Sequence, residues 1–326
     1  MKDLRPGETV DQVFLIQGKD LRRNAAGALY AACRLCDKSG VIDARWWQAT
    51  EERFAAIADG AFVKVSGRVQ SHRGQIQLII DDIEAVELAE TELRDFLPST
   101  ERDIEAMWAE LVDHLGGISN AHLRRLVDKF VGDEALVAKL KSSPAATQIH
   151  HNTVGGLLEH TLDIVRLARA ITSVYGDALN RDLLLVGAFL HDLGKTEELE
   201  VEGAFSYTDR GNLVGHIASA VIWIEQKADA ISEERGEPFP DQIRDLVQHM
   251  VLSHHGAKER GSPKVPMIPE ALVLHAIDDL DMRVHVAREA IETDQDPSSS
   301  FTPYHRILDA RLYKRSTVLP GDGDPE

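Results

Sequence analysis

Apolar positions along this chain follow two periods. Between residues 10 and 88 they alternate with polar ones; beyond residue 90 they recur every three to four residues. The alternating part predicts strands over residues 10–17, 29–37, 41–47, 61–70 and 75–86, all rich in β-branched and aromatic side chains. Turn residues separate them at 24–27, 38–40 and 71–74, and a short helical pattern over 49–58 falls between the third and fourth strands. The second part predicts an amphipathic helix ending at Leu115, with Ser99 and Thr100 as N-cap candidates. Further helices are expected over 120–130, 134–141, 157–175, 181–190, 213–234, 240–253 and 270–291, with loops at 203–211 and 256–269.

Five strands with a helix between the third and fourth is the order of an OB-fold, a small barrel that binds single-stranded nucleic acids or oligosaccharides. The expected fold class is multidomain: a small all-β OB-fold barrel followed by an all-α helical bundle. The division read from the pattern is 1–88 barrel, 89–150 helical connector, 151–315 bundle and 316–326 disordered acidic tail. On the third strand Ile42, Ala44 and Trp46 share one face, and Asp43, Arg45 and Trp47 the other. Trp46 then belongs to the core. Trp47 is a candidate stacking platform for a base, with Arg45 beside it and Arg34, Lys64, Arg68 and Arg73 as further groove residues. Trp47 packed under a loop, with the basic residues merely solvated, fits the same pattern.

His191-Asp192-Leu193-Gly194-Lys195 closes the apolar run 183–190. Alone, such a pair is an ordinary helix end with a favourable cation near the dipole. It is not alone. His160, His191, Asp192, His216, His254, His255 and Asp278 recur at helix starts and ends. Helices of a bundle can project such donors into one cavity. Nitrogen and oxygen donors without a thiolate favour Mn, Fe, Co, Ni or Zn over a structural zinc cage. Seven donors suit two divalent ions, with Asp192 as the bridge and Lys195 placed to neutralise charge on a phosphoryl group. His114, His122, His249, His275, His285 and His305 are expected to be structural or surface histidines.

Charge and cysteines narrow the picture. The net charge of −18 argues against a protein that simply coats nucleic acid. It is uneven: residues 1–90 carry 12 Lys and Arg against 14 Asp and Glu, and the remainder 24 against 40. Cys33 and Cys36 form a lone CxxC within a strand, where side chains three apart point to opposite faces. They are expected to be free thiols in a reducing cytoplasm. No apolar stretch has the length of a membrane span, and residues 1–8 lack a signal-peptide pattern, so a cytoplasmic protein with no membrane partner is expected.

The donors stand within longer motifs: His150-His151 before Gly155-Gly156-Leu157-Leu158-Glu159-His160-Thr161, then Leu190-His191-Asp192-Leu193-Gly194-Lys195. Tyr207-Thr208-Asp209 through Gly215-His216 and Leu252-Ser253-His254-His255-Gly256 follow. Gly261-Ser262-Pro263, Pro269-Glu270-Ala271 and His275-Ala276-Ile277-Asp278-Asp279-Leu280-Asp281 complete the series. This order resembles the HD superfamily of metal-dependent phosphohydrolases and, within it, the YhaM-type 3′-5′ exoribonucleases, which also carry an OB-like domain ahead of the HD domain. The resemblance covers nearly all the chain except about the last 20 residues. It implies an HD domain over 151–315, with His160, His191, Asp192 and Asp278 as core metal ligands and Asp281 as the other candidate for the last. It implies His216 and His254 or His255 as the extra histidines of binuclear members, and Lys195 as a phosphate contact, so that Asp192 and Lys195 carry the catalysis. His151 and Ser262 are substrate-contact candidates by the same resemblance.

The implied cofactors are two divalent ions, Mn first, with Co, Fe, Ni, Zn or Mg as alternatives. The implied reaction is 3′-5′ digestion of single-stranded RNA, often also of single-stranded DNA, to nucleoside 5′-monophosphates. Two other functions fit parts of the pattern. A phosphohydrolase of a small nucleotide or cyclic dinucleotide would not need the barrel. A non-catalytic OB-fold regulator would use the ions only to staple the helices. A homo-oligomer stays open.

Overall fold

The computed structural model describes residues 4–24, 27–37, 40–72, 75–87, 97, 99–146, 153–201, 205–294, 296 and 299–315. The acidic tail over 316–326 lies outside the described residues. Strands β1 (Thr9–Arg23), β2 (Leu29–Asp37), β3 (Gly40–Trp46), β4 (Phe62–His72) and β5 (Gln75–Ala85) close into a barrel in the order β1-β2-β3-β5-β4. A short helix α1 (Glu51–Ala56) sits between β3 and β4, its N-terminus capped by the Thr50 hydroxyl, which accepts from the Arg53 N–H. This is the expected OB-like order.

β1 runs past the expected end at residue 17. Its register shifts between Gln17 and Asp20, so one bent strand pairs with β4 through Leu15 and with β2 from Leu15 onward. Barrel closure needs a second irregularity, between Ser66 and Gly67 in β4. A Cβ on Gly67 would lie 2.3 Å from the Ile79 carbonyl oxygen, so only glycine permits that approach. Inward residues fill the barrel: Phe14, Leu35, Ala44, Val63, Val65 and Leu78 are fully buried.

From residue 104 the described chain is almost wholly helical: α2 (Ile104–Gly116), α3 (Ala121–Val131), α4 (Glu134–Ser142), α5 (Gly156–Tyr175) and α6 (Arg181–Leu190). Then follow α7 (Lys195–Glu198), α8 (Asp209–Leu213), α9 (Gly215–Arg235), α10 (Asp241–Ser253) and α11 (Pro269–Glu292). Caps start several of them. Asp103, Asn120, Asp133 and Asn180 each accept a backbone N–H at their helix start. Asp103 therefore caps α2 in place of Ser99 or Thr100; the Thr100 hydroxyl instead donates to Glu159, 2.5 Å away.

The loop expected at 203–211 also differs. A two-stranded pair, β6 (Leu199–Val201) with β7 (Phe205–Tyr207), and the single-turn α8 occupy that region. Elements of three to five residues are too short to show a period. The helix expected over 213–234 begins instead at Gly215, whose φ of +77° separates it from α8.

α6 is apolar all round, as a helix enclosed on every side must be. Every residue from Asp182 to Leu190 is buried. Helices α2 to α4 contribute Leu111, Leu126, Phe130 and Leu140 to the same core as α5, α6, α9, α10 and α11, so the expected connector packs as part of the bundle. A separate small cluster of Leu15, Cys36, Leu97 and Val154 joins barrel to bundle. Cys33 points into the barrel core instead, and both thiols are free and buried. Burial pushes the Cys33 thiol up to about 12. Among the described residues no helix is long and apolar enough to cross a membrane.

Asp182 ties the α2–α3 turn to α6. Its buried carboxylate accepts from Ser119 N, Ser119 Oγ and Asn120 N at 2.7–2.8 Å. Burial works against that charge, but the bonds from Ser119 and Asn120 outweigh it and hold the carboxyl below its usual range. Stability from a depressed carboxyl is present above about pH 4 and lost as pH falls through the folded value. Asp182→Ala is expected to cost about 2–3 kcal/mol at neutral pH in urea denaturation. The gap from the wild type should narrow as the pH is lowered below about 4.

Candidate metal centre

Helix ends build the site. α6 stops at Leu190, and His191 and Asp192 occupy the turn that follows, where the backbone no longer forces adjacent side chains apart. His160 projects from the first turns of α5, His216 from the start of α9, His254 and His255 from just past α10, and Asp278 from the middle of α11. His160, His191, Asp192, His216 and His254 are all buried.

Two groups of donor atoms result, and they share Asp192. One comprises His160, His191 and Asp192; the other Asp192, His216, His254 and His255, with all donor atoms of a group within 4.8 Å of one another. Asp278 joins the first side, its Oδ1 lying 3.4 Å from His160 Nε2 and 3.9 Å from His191 Nε2. Asp281, the alternative to Asp278, stands behind His160 and meets its other nitrogen, Nδ1, at 2.9 Å. One turn of helix decides this: Asp278 reaches the donor side of the imidazole and Asp281 its back.

Each imidazole is oriented from behind. His191 Nδ1 contacts the Ala188 carbonyl at 2.9 Å, His254 Nδ1 the Val251 carbonyl at 2.7 Å and His255 Nδ1 the Arg260 carbonyl at 3.0 Å. His216 Nδ1 meets Glu198 Oε2 at 2.8 Å. With Nδ1–H donating, each Nε2 lone pair faces the cluster. Asp192 Oδ1, His216 Nε2 and His254 Nε2 are buried with no hydrogen-bond partner among the described residues. The two nitrogens lie 3.6 and 3.5 Å from Asp192 Oδ1, acceptor facing acceptor. Such an arrangement is costly unless a cation sits among the lone pairs. Imidazole and carboxylate donors without a thiolate fit a divalent cation of the first transition row.

The electrostatics agree. Burial opposes the charge on Asp192, but the Lys195 ammonium beside it holds its carboxyl well below the usual range. Lys195 Nζ donates to Asp192 Oδ2 at 2.7 Å, and despite burial the ammonium is held charged above its ordinary value. Burial pushes His191 down to about 4, so its ring is neutral and able to donate a lone pair. His255 is pushed down to about 4 by burial and by His254. For His160 the sign reverses: burial works against its charge, but Asp192, Asp278 and Asp281 raise it well above the usual histidine value. Asp192, Lys195, His255, His275, Asp278 and Met282 line a cleft of about 420 Å³ over the cluster.

Residues 157–283 match the HD domain, and residues 16–86 match an OB-fold nucleic acid binding domain. The 3′-5′ exoribonuclease YhaM of Bacillus subtilis is 36% identical over 287 residues, which is 88% of this chain and 88% of that protein. The chain belongs to the YhaM family. A Geobacillus YhaM is also 36% identical over 287 residues, covering 88% of this chain and 86% of its own length. A Listeria monocytogenes YhaM is 34% identical over 295 residues, covering 89% and 90%.

On the barrel of this YhaM-family chain, Trp46 is buried and Trp47, just past β3, is 49% exposed. Trp47 is backed by Tyr30 of β2, with ring centroids 4.9 Å apart; nothing in the strand pattern had marked Tyr30. Register sets Arg45 on β3 and Arg68 on β4 in one outward row, each paired with Ile79 of β5. Arg34 lies in the neighbouring row, opposite Asp43, and Lys64 is 3.9 Å from Asp11. One expected contact is not brought to the cleft: Ser262 is buried and donates its hydroxyl to the Leu252 carbonyl. On the barrel, Arg45 is half-buried and donates to the Ala44 carbonyl. His151 and Arg73 lie outside the described residues. His275, expected as a structural histidine, lines the cleft, and Glu198 was not marked at all. A glutamate three residues beyond Lys195 carries no signal until β6 and α9 fold back beside it.

Gly194 explains its place in the motif. A Cβ there would lie 2.1 Å from the His216 carbonyl oxygen, because the α6–α7 turn packs directly on the start of α9. Gly194→Ala is expected to destabilise by about 1–3 kcal/mol. It should also reduce the rise in unfolding midpoint that added Mn produces, because His216 moves; thermal melts with and without Mn measure both.

Proposed function

We propose that this chain is a metal-dependent 3′-5′ exonuclease that hydrolyses single-stranded RNA, and single-stranded DNA besides, to nucleoside 5′-monophosphates. The observation that carries this is the pair of donor groups sharing Asp192, with unpartnered lone pairs facing inward and a buried cation, Lys195, bonded to Asp192 at their edge. In this reading His160, His191, Asp192 and Asp278 hold one cation, and His216, His254 and His255 with Asp192 hold another. Two divalent cations, Mn foremost, would supply Lewis acidity toward a phosphoryl oxygen and a water when bound.

The chain's own groups do the rest. Glu198 and Asp281 keep the His216 and His160 rings turned. Lys195 steadies Asp192 and offers N–H donors to a non-bridging phosphate oxygen. Water attacks the terminal phosphorus and the bond to O3′ of the preceding nucleotide breaks. The released nucleotide keeps a 5′-phosphate and the shortened strand a 3′-hydroxyl. The barrel, assigned to residues 1–88, holds the strand by stacking on the Trp47–Tyr30 pair and by Arg45 and Arg68 on the outer face. Residues 89–150 support the HD domain over 151–315. The two free thiols fit a reducing, cytoplasmic setting.

The test is digestion of 5′-labelled and 3′-labelled RNA by purified protein with Mn, Co or Mg. The 3′ label should leave first as a mononucleotide, and Asp192→Ala should lower the rate at least about 10³-fold. Inactivity on RNA with every metal, alongside cleavage of small phosphate esters, would sink this function in favour of a small-nucleotide phosphohydrolase. Trp47→Ala is expected to raise KM for RNA about 5- to 100-fold, the effect of losing one stacked base.

A further inference from the structure

The cleft over the donor cluster carries an electrostatic problem. Its lining includes three carboxylates, Asp192, Asp278 and Asp279, while the RNA strand it would receive is a polyanion. Lys195 cannot draw the strand in, because its side chain is 17% exposed and bonded to Asp192. Arg260 is different. It lines the same cleft and its side chain is 54% exposed. The short turn Lys258–Arg260 ends at Gly261, and its form lets the Arg260 carbonyl orient His255 while the side chain turns to the cleft wall. One guanidinium nitrogen, Nη1, donates to Asp279 Oδ1 at 3.0 Å. A guanidinium has five N–H donors, enough to take a phosphate in addition. Asp279 is shared with Arg283, so two arginines flank one carboxylate. A cleft of about 420 Å³ holds roughly one nucleotide. The next phosphate of the strand would therefore lie at the mouth.

We infer that Arg260 binds a backbone phosphate of the RNA at the mouth of the cleft, and that Asp279 restrains its guanidinium and opposes the strand. This rests on the exonuclease function proposed above. Arg260 is a strand-binding residue here, and any substitution leaves its carbonyl in place to orient His255. Arg260 and Asp279 therefore act in opposite directions on the same phosphate.

The test measures digestion of one single-stranded RNA by the full chain with Mn across about 50 to 300 mM salt, for the wild type, Arg260→Ala, Arg260→Lys and Asp279→Asn. Arg260→Ala should raise KM about 5- to 20-fold, with a smaller change in kcat. It should also flatten the slope of log(kcat/KM) against log[salt] by about 0.7, the value of one phosphate contact on a single strand. Arg260→Lys should keep the slope and lose part of the affinity, because a point charge replaces a fork. Asp279→Asn should lower KM a few-fold. Binding of the same RNA in EDTA, read by fluorescence anisotropy, should show the same order of affinities and the same loss of slope. Wild-type slope and affinity in Arg260→Ala would overturn the inference, as would weaker RNA binding in Asp279→Asn. Because the EDTA measurement needs no turnover, it judges Arg260 even if the wild type fails to digest RNA, an outcome that would instead refute the proposed reaction.

Discussion

The Asp192 carboxylate is the point on which the bundle's chemistry depends. It is buried, yet it carries its charge among four histidines and one lysine. Its Oδ2 is held by Lys195, and its Oδ1 faces the nitrogens of His216 and His254. Removing a carboxylate from water without compensation is strongly unfavourable. The lysine offsets one oxygen. The other, facing two lone pairs, is in balance only with a cation among them. Each donor group by itself is small; sharing Asp192 joins them into one continuous cluster of donors.

The surrounding architecture keeps those lone pairs aimed. His191 and His254 follow the last turns of α6 and α10, where carbonyls three residues back are free to accept from Nδ1. The same unsatisfied carbonyls that every helix end must dispose of thus become the orienting groups for the cluster's histidines. His160 and His216 stand at helix starts, where no such carbonyl is available, and carboxylates from elsewhere in the fold take its place. Each donor group contains both kinds, and the second adds His255, turned by the Arg260 carbonyl. The close packing of Gly194 on the start of α9 then holds the second group against the first.

The acidic half of the chain and the more neutral barrel divide the work of handling a polyanion. Carboxylates concentrate where cations are to be held. Exposed aromatic and basic groups lie on the barrel's outer face, where register alone brings Arg45 and Arg68 side by side across Ile79. Arg260, which lines the cleft, and Arg283 both pair with Asp279 and interrupt the acidity on that side.

Much of this was legible in the residues. Alternation marked the barrel strands and placed Trp46 inside and Trp47 outside, because a strand's period of two is set by covalent geometry. The enclosed helix α6 was legible from its unbroken apolar run, and the seven candidate donors from their residue types, although Asp278 sits in the middle of α11 and not at a helix boundary. Longer-range facts were not. Whether Asp278 or Asp281 faces the donor side depends on the rotation of α11 against α5, which no local pattern encodes. Glu198, Tyr30 and Arg260 matter only through neighbours distant in the sequence, and the buried hydroxyl of Ser262 shows the converse. The sequence by itself determined the elements, the two-part architecture and the inventory of donors, since those follow from local periodicity and side-chain chemistry. Only the tertiary structure decided which lone pairs meet, because that depends on how helix ends pack to within an ångström.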